Sequence, residues 1–191
     1  MSIKENLIKF WRFLKEDTWQ SWIVSLVLAI IVIKFILFPL LSLITGSSFP
    51  LVVVQSCSMY HESSFDKWWE ENGQWYESRN IAKEEFKTFS FKRGLNKGDI
   101  IIVTGYLKYN KGDIIIFNAG TQYPIIHRIV TINPTSTKGD NNQGQFSNGL
   151  ESDIEDDKIL GKSFIKIPLI GWIKLIFYEP FRNPKERGLC K

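Results

Sequence analysis

Residues 22–44 read WIVSLVLAIIVIKFILFPLLSLI, from Trp22 to Ile44. As a helix, these residues would extend roughly 35 Å, enough to cross a hydrocarbon core. Lys34 and Pro39 oppose insertion. A central lysine is disfavoured by about 3 kcal/mol, while the Leu, Ile, Val and Phe residues together favour insertion by roughly 5 to 10 kcal/mol. The apolar side prevails, and Lys34 can snorkel while Pro39 is tolerated near a helix end. A cleaved signal peptide carries a shorter apolar run placed close to the N-terminus. Here about 20 residues precede the run. The sequence therefore predicts one uncleaved transmembrane anchor over residues 21–45.

Flanking charge sets an expected orientation. Lys4, Lys9, Arg12 and Lys15 precede the span, and no Lys or Arg follows Ile44 before Lys67. The excess of basic residues on one side predicts a cytoplasmic N-terminus and an outer portion beyond about residue 45. Within residues 1–20, Ile3, Leu7, Trp11 and Leu14 recur at helical spacing between basic residues. This pattern fits a helix on the cytoplasmic leaflet and fits equally a helical extension of the anchor.

The remaining chain, residues 46–191, is soluble in character. The 24 basic and 20 acidic residues leave a net charge of +4, too mild for a nucleic-acid binder. Mean hydropathy is −0.09, which excludes a protein of many spans. Apolar runs rich in β-branched residues lie at 51–55, 100–103, 114–117, 125–132 and 164–167, bounded by Gly, Pro, Asn or Asp. They predict a mainly β domain with short helices. Lys97-Gly-Asp-Ile-Ile-Ile102 recurs as Lys111-Gly-Asp-Ile-Ile-Ile116. The two copies read as turns feeding strands, with Asp99 and Asp113 serving the turn. Residues 61–93 form an aromatic-rich insertion, with helices expected near 65–72 and 81–88. Its aromatic side chains suit a small satellite core, or the lipid headgroup layer. Residues 164–178 are too short and interrupted to span and read as a strand that dips toward a membrane surface.

Two cysteines and two histidines far apart give no metal-ligand spacing, and no cofactor is expected. Serine chemistry needs a hydroxyl, a base and a group that orients the base. The hydroxyls cluster in Ser56-Cys57-Ser58-Met59 after an apolar strand. His127 is the candidate base, and Asp140, in Thr137-Lys-Gly-Asp-Asn-Asn142, the candidate orienting acid. His61 is a rival base, disfavoured because it lies only three residues beyond Ser58.

Ser-x-Ser-Met, His-Arg-Ile and Thr-Lys-Gly-Asp-Asn-Asn, in that order after one N-terminal anchor, resemble type I signal peptidases. The archaeal and endoplasmic-reticulum branch, with a His where bacterial enzymes carry a Lys, is the nearer likeness, and it runs from about Trp22 to Trp172. The resemblance implies a signal-peptidase-like antiparallel β catalytic domain and a serine endopeptidase that removes signal peptides from exported preproteins. It makes Ser58 the nucleophile, His127 the general base, Asp140 its orienting acid, and the Ser56 hydroxyl a partner of the Ser58 N–H in the oxyanion hole. The bilayer, preproteins and the translocation channel are the implied partners. In extended chain Ser56 and Ser58 share one side and Cys57 the other, which disfavours a Cys57 thiol nucleophile. The chain departs from the pattern at Cys57, where the family usually has Gly. It also has Gln143–Leu150 ahead of Glu151, Asp153, Glu155, Asp156 and Asp157; Asp153 is the expected second acid. A non-catalytic membrane-anchored β module that scaffolds export partners is the alternative. A self-cleaving repressor-like protease is a weaker one, since no motif supplies the lysine base it uses.

Overall fold

The computed structural model describes residues 3–106 and 108–190, and the chain divides into two compact units after Ile44. In the first unit, α1 (Ile3–Leu14) is amphipathic. After it come α2 (Trp19–Val32), a π-helical turn (Ile33–Leu37) and α3 (Phe38–Thr45). Thr18 caps α2 by accepting from the Ser21 N–H at 3.3 Å. Pro39 cannot donate to the carbonyl four residues back, and its ring would crowd that carbonyl. The chain answers with one wide turn, in which the Phe38 N–H reaches the Ile33 carbonyl. The continuous helix Trp19–Thr45 is long and apolar enough to cross a membrane, and none of its apolar window is buried within the chain. It is therefore not the core helix of a soluble domain.

The second unit carries a six-stranded, curled antiparallel sheet in the order β1 (Leu51–Val53), β2 (Ile100–Thr104), β6 (Ile159–Ile167), β3 (Ile114–Phe117), β4 (Ile125–Thr131), β5 (Ser136–Lys138). The mainly β expectation holds for this unit. Helix nevertheless makes up 37% of the described residues, much of it in the N-terminal helices. The register slips between Ile102 and Val103, between Ile116 and Phe117, and between Ile129 and Thr131. Such irregularities bend strands and deepen twist.

Strand β3 is buried on both faces. Ile114 and Ile116 join a core with Val54, Met59, Leu95, Ile101 and Val103, while Ile115 and Phe117 join Ile129 and Ile154. This explains its unbroken Ile-Ile-Ile-Phe run. The two Lys-Gly-Asp repeats adopt the same turn: Asp99 and Asp113 each accept from a backbone N–H three residues earlier, at 2.8 Å. Gly98 and Gly112 take φ near +90°, conformations open to glycine at little strain.

The insertion forms α4 (Phe65–Glu77) and α5 (Lys83–Phe86). Its aromatic residues build a satellite core in which Trp68, Tyr76 and Phe86 are buried against Val130; they are not a headgroup belt. The expected helix 65–72 continues through Gly73, where a Cβ would lie 2.5 Å from the Trp69 ring. Strand β5 was not legible in the sequence, and β6 begins five residues earlier than expected. After β6 comes α6 (Trp172–Leu175), beyond which Ile176, Phe177 and Phe181 remain exposed. Cys57 and Cys190 form a disulfide across 133 residues of sequence. On chain-entropy grounds, closing a loop of that length lowers the unfolded state's freedom by about 5 kcal/mol at most.

Candidate active site

The segment after β1 is held from several sides. The Val54 N–H donates to the Asp99 carbonyl, and its own carbonyl accepts from Gly98. Met59 sinks into the core at 1% exposure, and its carbonyl accepts from Leu95. Between these anchors, Gln55 to Ser58 leave the strand, with a bend at Ser56 and Cys57 and a turn from Ser58. Ser56 Oγ and Ser58 Oγ lie 3.2 Å apart. Cys57 points elsewhere and its sulfur is bonded to Cys190, so no free thiol competes with Ser58. The tripeptide is not extended as the alternation supposes: Ser56 and Cys57 lie in a bend and Ser58 in a turn.

His127 sits on β4 at 2% exposure. Ser56, Ser58 and His127 line one cleft of about 380 Å³, together with Val53, Ile126 and Phe146. The cleft lies between two strand edges that are free in this sheet. Strand β1 pairs only with β2, and β5 covers β4 only from Arg128 onward, leaving Ile125–His127 uncovered. The stretch 113–117 offers no free edge, because β3 is paired to both β4 and β6.

The carboxylate beside His127 is Glu151 and not the expected Asp140. His127 Nδ1 is hydrogen-bonded to the Glu151 carboxylate, which is wholly buried. The second Glu151 oxygen accepts from the Phe146 N–H at 2.6 Å. Asp140 instead accepts from Arg128 Nε at 2.9 Å and Nη2 at 2.7 Å, from the Tyr76 hydroxyl at 3.0 Å and from His61 Nε2 at 3.1 Å. The reason is strand geometry. Adjacent residues on β4 face opposite sides of the sheet, so His127 and Arg128 cannot share a partner, and the chain leaving β5 brings Asp140 to the Arg128 side. Asp153, the expected second acid, is exposed in a turn with φ of 54° and is not among the residues lining the cleft.

The Gly-Asp-Asn-Asn block serves the site in another way. Asn141 donates its N–H to the Ser58 carbonyl at 2.7 Å and its Nδ2 to the Cys57 carbonyl at 3.1 Å. Gly139 runs so close to the imidazole that a Cβ there would lie 2.7 Å from His127 Nε2. Behind the block, burial works against the Asp140 charge, yet Arg128 and the His61 and Arg128 hydrogen bonds hold the carboxyl well below the usual range. Arg128 uses its remaining N–H groups on the Ser90, Gly112 and Phe91 carbonyls. His61 is stacked on Trp68 with ring centroids 3.7 Å apart, and burial lowers its pKa although the Asp140 bond pulls the other way. It donates Nε2–H to Asp140 and leaves Nδ1 without a partner. The rival base is thus a buried structural group. Lys138 caps the Gly139 and Asp140 carbonyls, and burial lowers its pKa to about 8.

No model of a known protein family matches the chain, and no curated protein does.

Among the described residues, no group of three or more His, Cys, Asp or Glu side chains gathers in a way that could hold a metal ion. Chemically, the arrangement offers a paired-serine loop, an imidazole whose far nitrogen is held by a buried carboxylate, and an extended slot between two strand edges. Glu151 could have been singled out as the first acid after the Gly-Asp-Asn-Asn block, but the intervening loop length carries no signal of where it returns.

Proposed function

We propose that the chain is a membrane-anchored serine endopeptidase of the type I signal-peptidase kind, acting on exported preproteins. The observation that supports it most is that Ser56, Ser58 and His127 line one cleft flanked by two free strand edges, with the Glu151 carboxylate on the imidazole Nδ1. An extended substrate pairs with the β1 and β4 edges by β-augmentation. Shallow apolar positions beside Val53 and Ile126 then take small side chains next to the scissile bond.

With Glu151 accepting from Nδ1–H, the lone pair is left on His127 Nε2, where it can take a proton. Ser58 Oγ attacks the carbonyl carbon as its proton passes to Nε2. The Ser58 N–H and the Ser56 hydroxyl stabilise the resulting oxyanion. The C–N bond breaks as Nε2 gives its proton to the leaving amine. Water, activated by the same imidazole, then hydrolyses the ester. Helix Trp19–Thr45 supports a single-pass anchor in the cell membrane, and the basic residues of α1 support a cytoplasmic N-terminus with the catalytic unit outside. The exposed Ile173, Ile176 and Phe177 support contact of that unit with the bilayer surface. An anchored enzyme meets a membrane-borne substrate in two dimensions, beside the translocation channel that delivers it.

The test is cleavage of a model preprotein by the full chain in detergent. The wild type is expected to release the mature fragment and Ser58→Ala to release none while remaining folded. Equal cleavage by both, or none by either, refutes the reading; in the second case a non-catalytic anchored module takes its place.

A further inference from the structure

The C-terminal residues Glu179–Cys190 form a strap held to the loop that carries the two serines. Arg182 donates Nη1 to the Gln55 carbonyl at 2.6 Å and Nη2 to the Gln55 side-chain oxygen at 2.7 Å. Two residues on, Cys57 is joined to Cys190. Ser56 is therefore bracketed by a forked hydrogen bond on one neighbour and a covalent bond on the other. The strap is itself fastened. Lys97, 1% exposed, bonds the Glu179 carboxylate and the Glu186 carbonyl at 2.9 and 2.6 Å. Gly188 donates to Glu179, and Arg187 to the Arg182 and Pro180 carbonyls. Lys97 belongs to the first Lys-Gly-Asp repeat, so the same turn that feeds β2 anchors the strap. Arg182 and Glu186 also line the cleft.

We propose that this strap is a positioning element of the serine pair, with Arg182 as its positioning residue and the Cys57–Cys190 bond as a clamp that a dithiol can open. This role rests on the protease reading above. Residues 55–58 lie beyond the end of β1, in bend and turn conformation from Ser56 onward, and fixing the ends of such a loop holds its two hydroxyls at their 3.2 Å spacing. Asn141 fixes the Cys57 and Ser58 carbonyls; the strap fixes Gln55 and the Cys57 side chain. Because Arg182 occupies the Gln55 carbonyl, the β1 edge open to a substrate strand also ends there. A misplacement near 1 Å at a reacting group lowers rate on the order of 10²-fold. In the opening step a dithiol thiolate attacks one sulfur, the S–S bond breaks, and the second thiol releases the mixed disulfide. The dithiol is oxidised to its own disulfide, and Cys57 and Cys190 take up two electrons and two protons.

The experiment uses the full chain in detergent. Wild type with and without dithiothreitol, Cys57→Ser/Cys190→Ser, Arg182→Ala and Arg182→Lys are compared. Three quantities are read: kcat and KM on a model preprotein, the rate at which a fluorophosphonate labels Ser58, and amide hydrogen exchange at Ser58 and Met59. Opening the clamp or removing the Arg182 fork is expected to slow turnover and labelling about 10- to 10²-fold with KM changed less than threefold, and to speed exchange at both amides. Reoxidation restores the wild type, and Arg182→Lys recovers part of the loss through a single donor. Unchanged kcat, labelling and exchange overturn the proposal, as does loss confined to KM. If Ser58 is unlabelled and the preprotein uncut even in the oxidised wild type, the protease reading fails. The exchange result still decides whether the strap holds the loop, since unchanged exchange refutes it on its own.

Discussion

Replacing Glu151 by Gln separates the two acids that compete for the role behind His127. One Glu151 oxygen accepts from the Phe146 N–H, and the other faces His127 Nδ1. In Glu151→Gln the amide oxygen keeps the Phe146 bond, because the alternative orientation sets two donors against each other. The amide NH₂ then faces Nδ1. The imidazole answers by carrying its proton on Nε2, where it blocks proton transfer from Ser58. The corresponding tautomer error in serine triads slows turnover about 10⁴-fold, roughly 5.5 kcal/mol. Folding changes little, since volume and burial are kept. Asp140→Asn acts in the opposite way. It leaves Arg128 buried without its counter-charge, with destabilisation of about 3–5 kcal/mol, or a fall in Tm on the order of 10 °C for a unit of this size. The assay pairs fluorophosphonate labelling of Ser58 with thermal unfolding in the same detergent. Glu151→Gln is expected to label about 10⁴-fold more slowly at near-native Tm, and Asp140→Asn to lose Tm first. Labelling of Glu151→Gln within tenfold of wild type, with Asp140→Asn inert at native Tm, would refute the assignment of Glu151.

Four further outcomes follow from the same contacts. Ser56→Ala is expected to slow turnover by about 10²–10³ with little change in KM, the usual loss of one oxyanion donor; a rise in KM alone makes Ser56 a binding residue. Gly139→Ala should displace His127, because its Cβ would lie 2.7 Å from Nε2; turnover slowed about tenfold or more with KM nearly unchanged checks it, and native turnover contradicts it. Lys138 titrates near 8 when folded against an ordinary 10.5, so the unfolded chain binds more protons between those values and stability rises with pH across that window by up to about 3 kcal/mol. Denaturant titrations of Lys138→Met should lack that rise, and identical pH slopes would exclude the buried cation. A membrane-impermeant thiol probe on intact cells should label a cysteine placed at Ser147 and not one at Glu5; the reverse pattern overturns the orientation.

Much of this was written in local sequence. The long apolar helix, the β-branched apolar runs and the paired Lys-Gly-Asp turns each depend on residues a few positions apart. The insertion's aromatic residues were legible as a group, but their burial against Val130 depends on a strand far along the chain.

Which carboxylate meets His127 could not be read this way. Asp140 stands in a motif and Glu151 in a loop, yet the strand places His127 and Arg128 on opposite faces, and each face finds its own carboxylate. The same holds for Cys57 and Cys190, which meet across 133 residues, and for the Arg182 fork on Gln55. Periodicity and turn chemistry act over one or two turns of chain, so the sequence by itself determined elements and candidates. Which side chains share a face is set by register and by where long loops return, and only the folded sheet decided that.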